Sequence, residues 1–298
     1  MIAVTRRQFT SIVVASMLAP HALAQADNAA VLMRAIPKSG ERLPAVGLGT
    51  AAVFDRDSEA TRQAAAQVVD ALLGGGGRLI DTASTYGDAE VVLGKVVADG
   101  HLRERIFIAT KLEEPDEGEL KQSLARLRTP KLDLLQLHNV HDTRQSLAKF
   151  RGWQAQGICR YVGITSTYHS HFDAVEGVLA REKPDFVQVD YSLDERTVEA
   201  KILPLAADVG AGVLTALPFG RGRLFRAVRG KEIPDWARAF AGSWAQFFLK
   251  YLLADPRVTA VIPGTASPAH MTDNSGAMRG PLPDAAERKR MVAFIANL

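Results

Sequence analysis

The chain holds a single cysteine, Cys159, in 298 residues. That excludes an intrachain disulfide and leaves nothing from which a thiolate metal cluster could be built. Excess charge is equally scarce. The formal net charge is +3, Arg6 and Arg7 supply two of it, and residues 1–26 contain no acid, so the rest of the chain carries about +1. No nucleic-acid partner is implied. The N-terminal apolar stretch at 12–18 falls well short of the ~20 residues that a membrane-spanning helix requires, so no stable span is expected. A glycine-rich phosphate fingerprint opening a first helix is missing too. The four glycines at 74–77 precede an apolar run instead of following one, and read as a helix-to-strand turn.

What is present suits a compact enzyme. A hydrophobic content of 47% and a charged content of 23% allow a sizeable core, and the length fits one α/β barrel of ~250 residues plus a leader. Apolar strand-like runs at 45–48, 78–81, 106–110, 132–137, 161–164, 186–189, 212–216 and 258–262 alternate with helical patterns at 59–73, 117–127, 144–156, 171–181, 196–207 and 243–253. Such alternation signals a parallel α/β sheet. A doubly wound open sheet alternates in the same way but normally carries the missing fingerprint, so a (β/α)8 TIM barrel is expected, with its active site at the C-terminal strand ends.

The N-terminus reads as a leader. Thr5-Arg6-Arg7-Gln8-Phe9 precedes the apolar stretch, and small-residue sites follow at Ala22-Leu23-Ala24 and Ala24-Gln25-Ala26. These are the basic, apolar and cleavable parts of a secretory signal. The arginine pair followed by Phe9 resembles a twin-arginine signal, which implies the twin-arginine export machinery as a partner and a periplasmic location reached after folding. An ordinary secretory signal or an uncleaved tail are the alternatives. The expected division is a signal peptide at 1–26 and a barrel at 27–298.

Three apolar runs end in residues that move or steer protons: Asp81 to Gly87 (DTASTYG), Ile108-Ala109-Thr110-Lys111 and Leu135-Gln136-Leu137-His138-Asn139. A tyrosine is a poor acid near neutrality, but a buried ammonium beside its hydroxyl favours the phenolate. Lys111 can supply that charge to Tyr86, and a carboxylate such as Asp81 keeps a buried ammonium protonated. His138 would orient a carbonyl oxygen. Taken singly, Asp81 could cap a turn, Tyr86 could be a rim aromatic and Lys111 a solvated strand-end charge. His138 and His141 lie three apart, a spacing that by itself makes no metal site, so none is expected and His141 reads as a loop residue. Trp153, Trp236 and Trp244 lie in helical patterns and read as core or rim, while Tyr168, His169 and His171 either line the mouth or form a polar loop.

In order and setting, Asp81, Tyr86, Lys111 and His138 resemble the tetrad of the aldo-keto reductase superfamily. The resemblance implies a small-molecule carbonyl substrate (aldehyde, ketone or sugar), or the corresponding alcohol, with hydride from NADP(H) or NAD(H) and the proton from Tyr86. A cofactor-sensing or partner-binding barrel and a redox-neutral isomerase or lyase are the rival readings.

The resemblance extends to cofactor contacts at Gly49, Thr50, Thr165, Ser166, Gln188, Leu217, Pro218, Gly220, Gly222, Gly264, Thr265, His270 and Asn274. It also shows departures. Ser166 stands at the position of an asparagine that, with Gln188, holds the carboxamide, and Ala216 at that of the tyrosine that stacks under the nicotinamide. Gly264, Ala266 and His270 stand where relatives place basic residues for the 2′-phosphate, which puts an NADP preference in doubt, with Arg221, Arg223 and Arg279 as substitute clamps.

Overall fold

The structure, a computed structural model, describes residues 30–298. The expected signal at 1–26 lies outside the described residues. A hairpin comes first: β1 (Met33–Ala35) pairs antiparallel with β2 (Arg42–Pro44). Eight strands follow, β3 (Leu48–Gly49), β4 (Leu79–Asp81), β5 (Phe107–Leu112), β6 (Leu132–Leu137), β7 (Cys159–Ser166), β8 (Phe186–Asp190), β9 (Gly212–Ala216) and β10 (Val258–Val261). They are hydrogen-bonded in chain order, every pair parallel. Parallel bridges between Val46 and Val261 and between Gly49 and Gly264 bring the first strand against the last and close the barrel.

The helices are α1 (Glu59–Gly74), α2 (Ala89–Asp99), α3 (Glu117–Arg126), α4 (Ala148–Ala155), α5 (Phe172–Glu182), α6 (Ile202–Val209), α7 (Arg223–Ala227), α8 (Trp244–Leu253), α9 (Pro268–Gly276) and α10 (Ala285–Ala296). Their starts are written locally. Ser58, Asp116, Ser243 and Ser267 accept from backbone N–H groups three residues on, and Asp284 with Glu287 forms a reciprocal capping box. Two helices are shorter than the sequence pattern suggested. The expected 144–156 helix begins at Ala148 because the Asp142 carboxylate and Gln145 side chain accept from backbone N–H groups in the turn before it. The expected 196–207 helix is a 3-10 turn at Thr197–Glu199 followed by α6, which places Pro204 in the first helical turn, where a missing N–H costs no hydrogen bond.

Strand periodicity of two then sorts the barrel residues, apart from Leu132, Cys159 and Val258 at the strand starts. Leu79, Phe107, Ala109, Leu134, Tyr161, Phe186, Leu214, Ala260 and Ile262 form one buried cluster inside the barrel, and Ile36 and Leu43 of the hairpin plug its N-terminal end. Their sequence neighbours Ile80, Ile108, Leu135, Val162, Val187, Val213 and Val261 belong to the second cluster, between strands and helices. Continuing the inward parity toward the strand C-termini gives Asp81, Lys111, Gln136, His138, Thr165, Gln188 and Ala216. The strand pattern thus sets polar chemistry on top of an apolar plug. Cys159, at the opposite end of β7, is buried, and burial pushes its thiol up to about 12, so it is an inert packing group.

Candidate active site

Lys111 is fully buried and donates to Asp81 Oδ2 at 2.6 Å and to the Thr82 carbonyl at 2.7 Å. Burial alone would lower its pKa, but the Asp81 charge and hydrogen bond, with Tyr86 adding to them, leave it raised. The ammonium therefore persists inside the barrel. Its Nζ lies 4.9 Å from the centre of the Tyr86 ring, and that ring meets His138 edge-on at 5.8 Å. Tyr86 sits on the loop after β4, and Gly87 fixes that loop. Gly87 has φ of +56°, and a Cβ there would meet the Asp55 carbonyl oxygen at 2.5 Å.

A second tier of amides holds Asp81. Gln136 Nε2 donates to Gln188 Oε1 at 2.8 Å and to Asp81 Oδ1 at 3.3 Å, while Gln188 Nε2 donates to Asp81 Oδ2 at 3.3 Å. Sequence reasoning gave Gln136 no role, although a glutamine in an otherwise apolar strand, at inward parity, was a legible signal. Gly163 makes room for it, since a Cβ there would stand 2.9 Å from Gln136 Cγ.

Glu113 also escaped the sequence reading. It follows Lys111 by two residues, and its Oε1 lies 2.5 Å from His138 Nδ1, although the alignment is too bent for a full hydrogen bond. Thr85 Oγ1 donates to the same carboxylate at 3.2 Å and Asn139 Nδ2 at 3.1 Å.

Asp81, Tyr86, His138 and Glu113 open onto a cavity of about 530 Å³ at the C-terminal mouth. Of the expected cofactor contacts, Gly49, Thr165, Gln188, Leu217, Pro218, Gly222 and Gly264 line it, together with Ala216, Phe219 and Arg221. Thr50, Ser166, Gly220, Thr265, His270 and Asn274 do not. Ser166 has outward parity, and its hydroxyl is within hydrogen-bond distance of the Tyr168 N–H and His171 Nδ1, both at 3.3 Å. Thr50 is buried behind Asp81, whose carbonyl accepts from its N–H. Thr265 accepts from the Ser267 N–H, His270 is exposed in the first turn of α9, and Asn274 is buried in its last turn.

Among the arginines considered as clamps, Arg221 lines the cavity, while Arg223 is paired with Asp194 at 2.8 Å. Arg279 reaches the Gly75 carbonyl, in the turn that enters β4 from the opposite end of the barrel. Tyr168 stands exposed at the mouth. His141 is an exposed loop residue and Trp153 is core, as the pattern suggested. Among the described residues no group of acidic, His or Cys side chains could hold a metal ion.

Residues 45–291 match the aldo/keto reductase family. The chain belongs to that family. It is 29% identical to methylglyoxal reductase YeaE of Escherichia coli, over 79% of this chain and 86% of that one. It is 27% identical to an uncharacterized oxidoreductase, YrpG, of Bacillus subtilis, over 79% and 87% of the two chains. In three dimensions it resembles an aldo-keto reductase of Klebsiella pneumoniae in complex with NADPH, with a TM-score of 0.76 and 26% identity over 89% of this chain and 96% of that one. For a member of the aldo/keto reductase family, the eight-stranded closed barrel with its polar C-terminal mouth is the expected fold.

The histidine of this site ties the site to stability. Burial, followed by the Lys111 charge, holds the His138 imidazole down at about 4, with Glu113 pulling the other way. An unfolded histidine titrates near ~6.5, so between there and pH ~4 the unfolded chain binds the extra proton. Stability is unaffected by this group above pH ~6.5 and falls by about 3 kcal/mol as pH drops through the window. His138→Gln should flatten that part of the profile. Urea unfolding at pH 7 and pH 4.5 checks it, and equal acid losses in the two proteins would show that His138 is protonated as readily folded as unfolded.

Proposed function

We propose that the protein is a nicotinamide-dependent oxidoreductase that reduces aldehydes, ketones or sugars, or oxidises the corresponding alcohols, with Tyr86 as the proton-transfer group. The observation that carries this reading is the buried Lys111–Asp81 pair, its ammonium 4.9 Å from the Tyr86 ring at the floor of an open cavity. Tyr86 gives its proton to the carbonyl oxygen, with the Lys111 ammonium beside its ring. Asp81 keeps Lys111 charged, and Gln136 and Gln188 keep Asp81 in place. The same parts run backwards take a proton from an alcohol.

The cavity fits the reactive end of a nicotinamide cofactor. Gly49, Gly222 and Gly264 present backbone without side chains, Leu217 and Phe219 offer apolar surface, and Arg221 offers a cation. When bound, that cofactor supplies or takes up the hydride. Phe219 is itself propped by Phe225 and Phe248, at ring separations of 4.8 and 6.4 Å. These supports suit an apolar wall in place of the stacking tyrosine that Ala216 replaces.

Residues 1–26 are proposed to act as a twin-arginine signal that sends the folded barrel to the periplasm. The sequence at Arg6-Arg7 and the small-residue sites before 27 support this, and no helix among the described residues is long and apolar enough to cross a membrane. A cofactor acquired in the cytoplasm would stabilise the folded state in transit by mass action.

Tyr86→Phe should slow turnover by about 10²–10⁴-fold and leave cofactor affinity unchanged, as measured by steady-state rates and by fluorescence titration. Retained turnover would remove Tyr86 from the proposed role. With glycine, alanine and an exposed histidine at Gly264, Ala266 and His270, NADH and NADPH should bind with dissociation constants within about tenfold of each other. NADPH binding a hundredfold tighter would point to Arg221 as a phosphate clamp. Replacing Arg6 and Arg7 with lysine should leave unprocessed protein in the cytoplasm, and normal export of that variant, followed by fractionation, would refute the signal.

A further inference from the structure

Charge is distributed unevenly around the cavity. Its lining carries two carboxylates, Asp81 and Glu113, one guanidinium, Arg221, and the His138 imidazole. Asp81 is matched by the Lys111 ammonium, and burial with the Lys111 charge keeps His138 neutral near pH 7. Glu113 has no such match. Its side chain is 39% exposed, and among the described residues no lysine or arginine pairs with it. Its oxygens meet neutral groups only: Thr85 Oγ1 at 3.2 Å, Asn139 Nδ2 at 3.1 Å and the edge of the His138 ring. Its own N–H donates to Glu119 Oε1 at 3.2 Å, which fixes the chain where β5 ends. A carboxylate held by neutral donors keeps its full charge and spare lone pairs. Arg221 stands too far round the barrel to supply the missing cation. It follows β9 while Glu113 follows β5, and β6, β7 and β8 lie between them on one side, β4, β3 and β10 on the other, so the two charges face each other across the mouth. The Arg221 charge acts on Asp190 instead.

We propose that Glu113 is a specificity-determining residue that selects carbonyl compounds carrying a primary ammonium group, with amino aldehydes as the substrate class. Tyr86 and His138 mark the place of the carbonyl, and Glu113 adjoins both, touching His138 directly and Tyr86 through its neighbour Thr85. An ammonium a few bonds from the carbonyl donates to the spare lone pairs of this carboxylate in charge-assisted hydrogen bonds. The site is open enough for both charges to keep part of their water, so little of that gain is lost to desolvation. A neutral aldehyde of the same shape displaces water from the carboxylate and returns nothing, which is how a polar pocket discriminates. Reduction adds a hydride from the nicotinamide to the carbonyl carbon and the Tyr86 proton to the oxygen, giving the amino alcohol, and Tyr86 regains its proton from solvent. Glu113 takes no part in that exchange. The substrate class rests on the reductase reading above, whereas a cation site at Glu113 does not.

3-Aminopropanal and butanal differ by the exchange of an ammonium for a methyl group, so the ratio of their kcat/KM values reads the charge. Measured on the full chain near pH 7, with whichever of NADH and NADPH supports turnover, that ratio should fall by about tenfold in Glu113→Gln. A general effect of the substitution on rate cancels within each ratio, and the intrinsic reactivities of the two aldehydes cancel between the two proteins. A ratio that Glu113→Gln leaves unchanged overturns the proposal. If that variant does not fold, salt decides. Raising the ionic strength from about 0.02 to about 0.5 M should lower the wild-type ratio severalfold, because screening weakens a partly exposed pair, and a salt-independent ratio overturns the proposal. Should neither aldehyde nor any other carbonyl turn over with NADH or NADPH, the reductase reading fails and binding judges the cation site alone. In calorimetric titration 3-aminopropan-1-ol should then bind about tenfold tighter than butan-1-ol and lose that advantage in Glu113→Gln, and equal affinities of the two alcohols for the wild-type protein overturn the site.

Discussion

The site depends on one buried ion pair. An ammonium enclosed in a barrel persists only if a carboxylate stands against it, and removing one partner of such a pair typically costs about 3–5 kcal/mol because the other is left uncompensated. Lys111 and Asp81 meet at 2.6 Å from adjacent strands, with both side chains essentially inaccessible to water. Burial pushes the Asp81 carboxyl up, while Lys111, Gln188 and Gln136 pull it down. The two amides are therefore part of the ion pair's solvation and substitute for water that the barrel excludes. Gly163 gives Gln136 its room, inward parity turns Gln188 onto the same carboxylate, and Tyr86 stands beside the ammonium at the cavity.

The fold meets this demand by layering. Phe107, Tyr161 and Phe186 pack together inside the lower barrel, with Phe107 and Tyr161 stacked at 6.0 Å, and the hairpin residues Ile36 and Leu43 close the end. Solvent is thereby kept from the ion pair from below. At the mouth, Tyr86 and His138 line the cavity above this apolar plug.

Much of this was legible along the chain, and the parts that were not share a cause. The strands appeared where apolar runs ended in Asp81, Lys111 and His138, because a parallel strand buried on both faces must be apolar until it reaches the site. The helix α2 was not read from the sequence, although its buried Ala89, Val92, Leu93, Val96 and Val97 follow the i, i+3, i+4, i+7, i+8 spacing of an amphipathic helix. The shortened α4 and α6 reflect local competition from Asp142 and Pro204. Ser166 and Thr165, adjacent in sequence, were assigned one task together, yet strand alternation turns Thr165 into the cavity and Ser166 toward Tyr168 and His171.

By itself the sequence determined the family, the parallel barrel and the placing of Asp81, Lys111 and His138 at strand ends with Tyr86 on the loop after Asp81, because these are carried by residue type, order and the period of two. Only the tertiary structure decided that Gln136 and Gln188 brace Asp81, that Arg223 and Arg279 are engaged away from the cavity while Arg221 faces it, and that Glu113 stands against His138. Those relations join residues on different strands and loops, at separations set by barrel closure and register, and no local pattern encodes a distance between two strands.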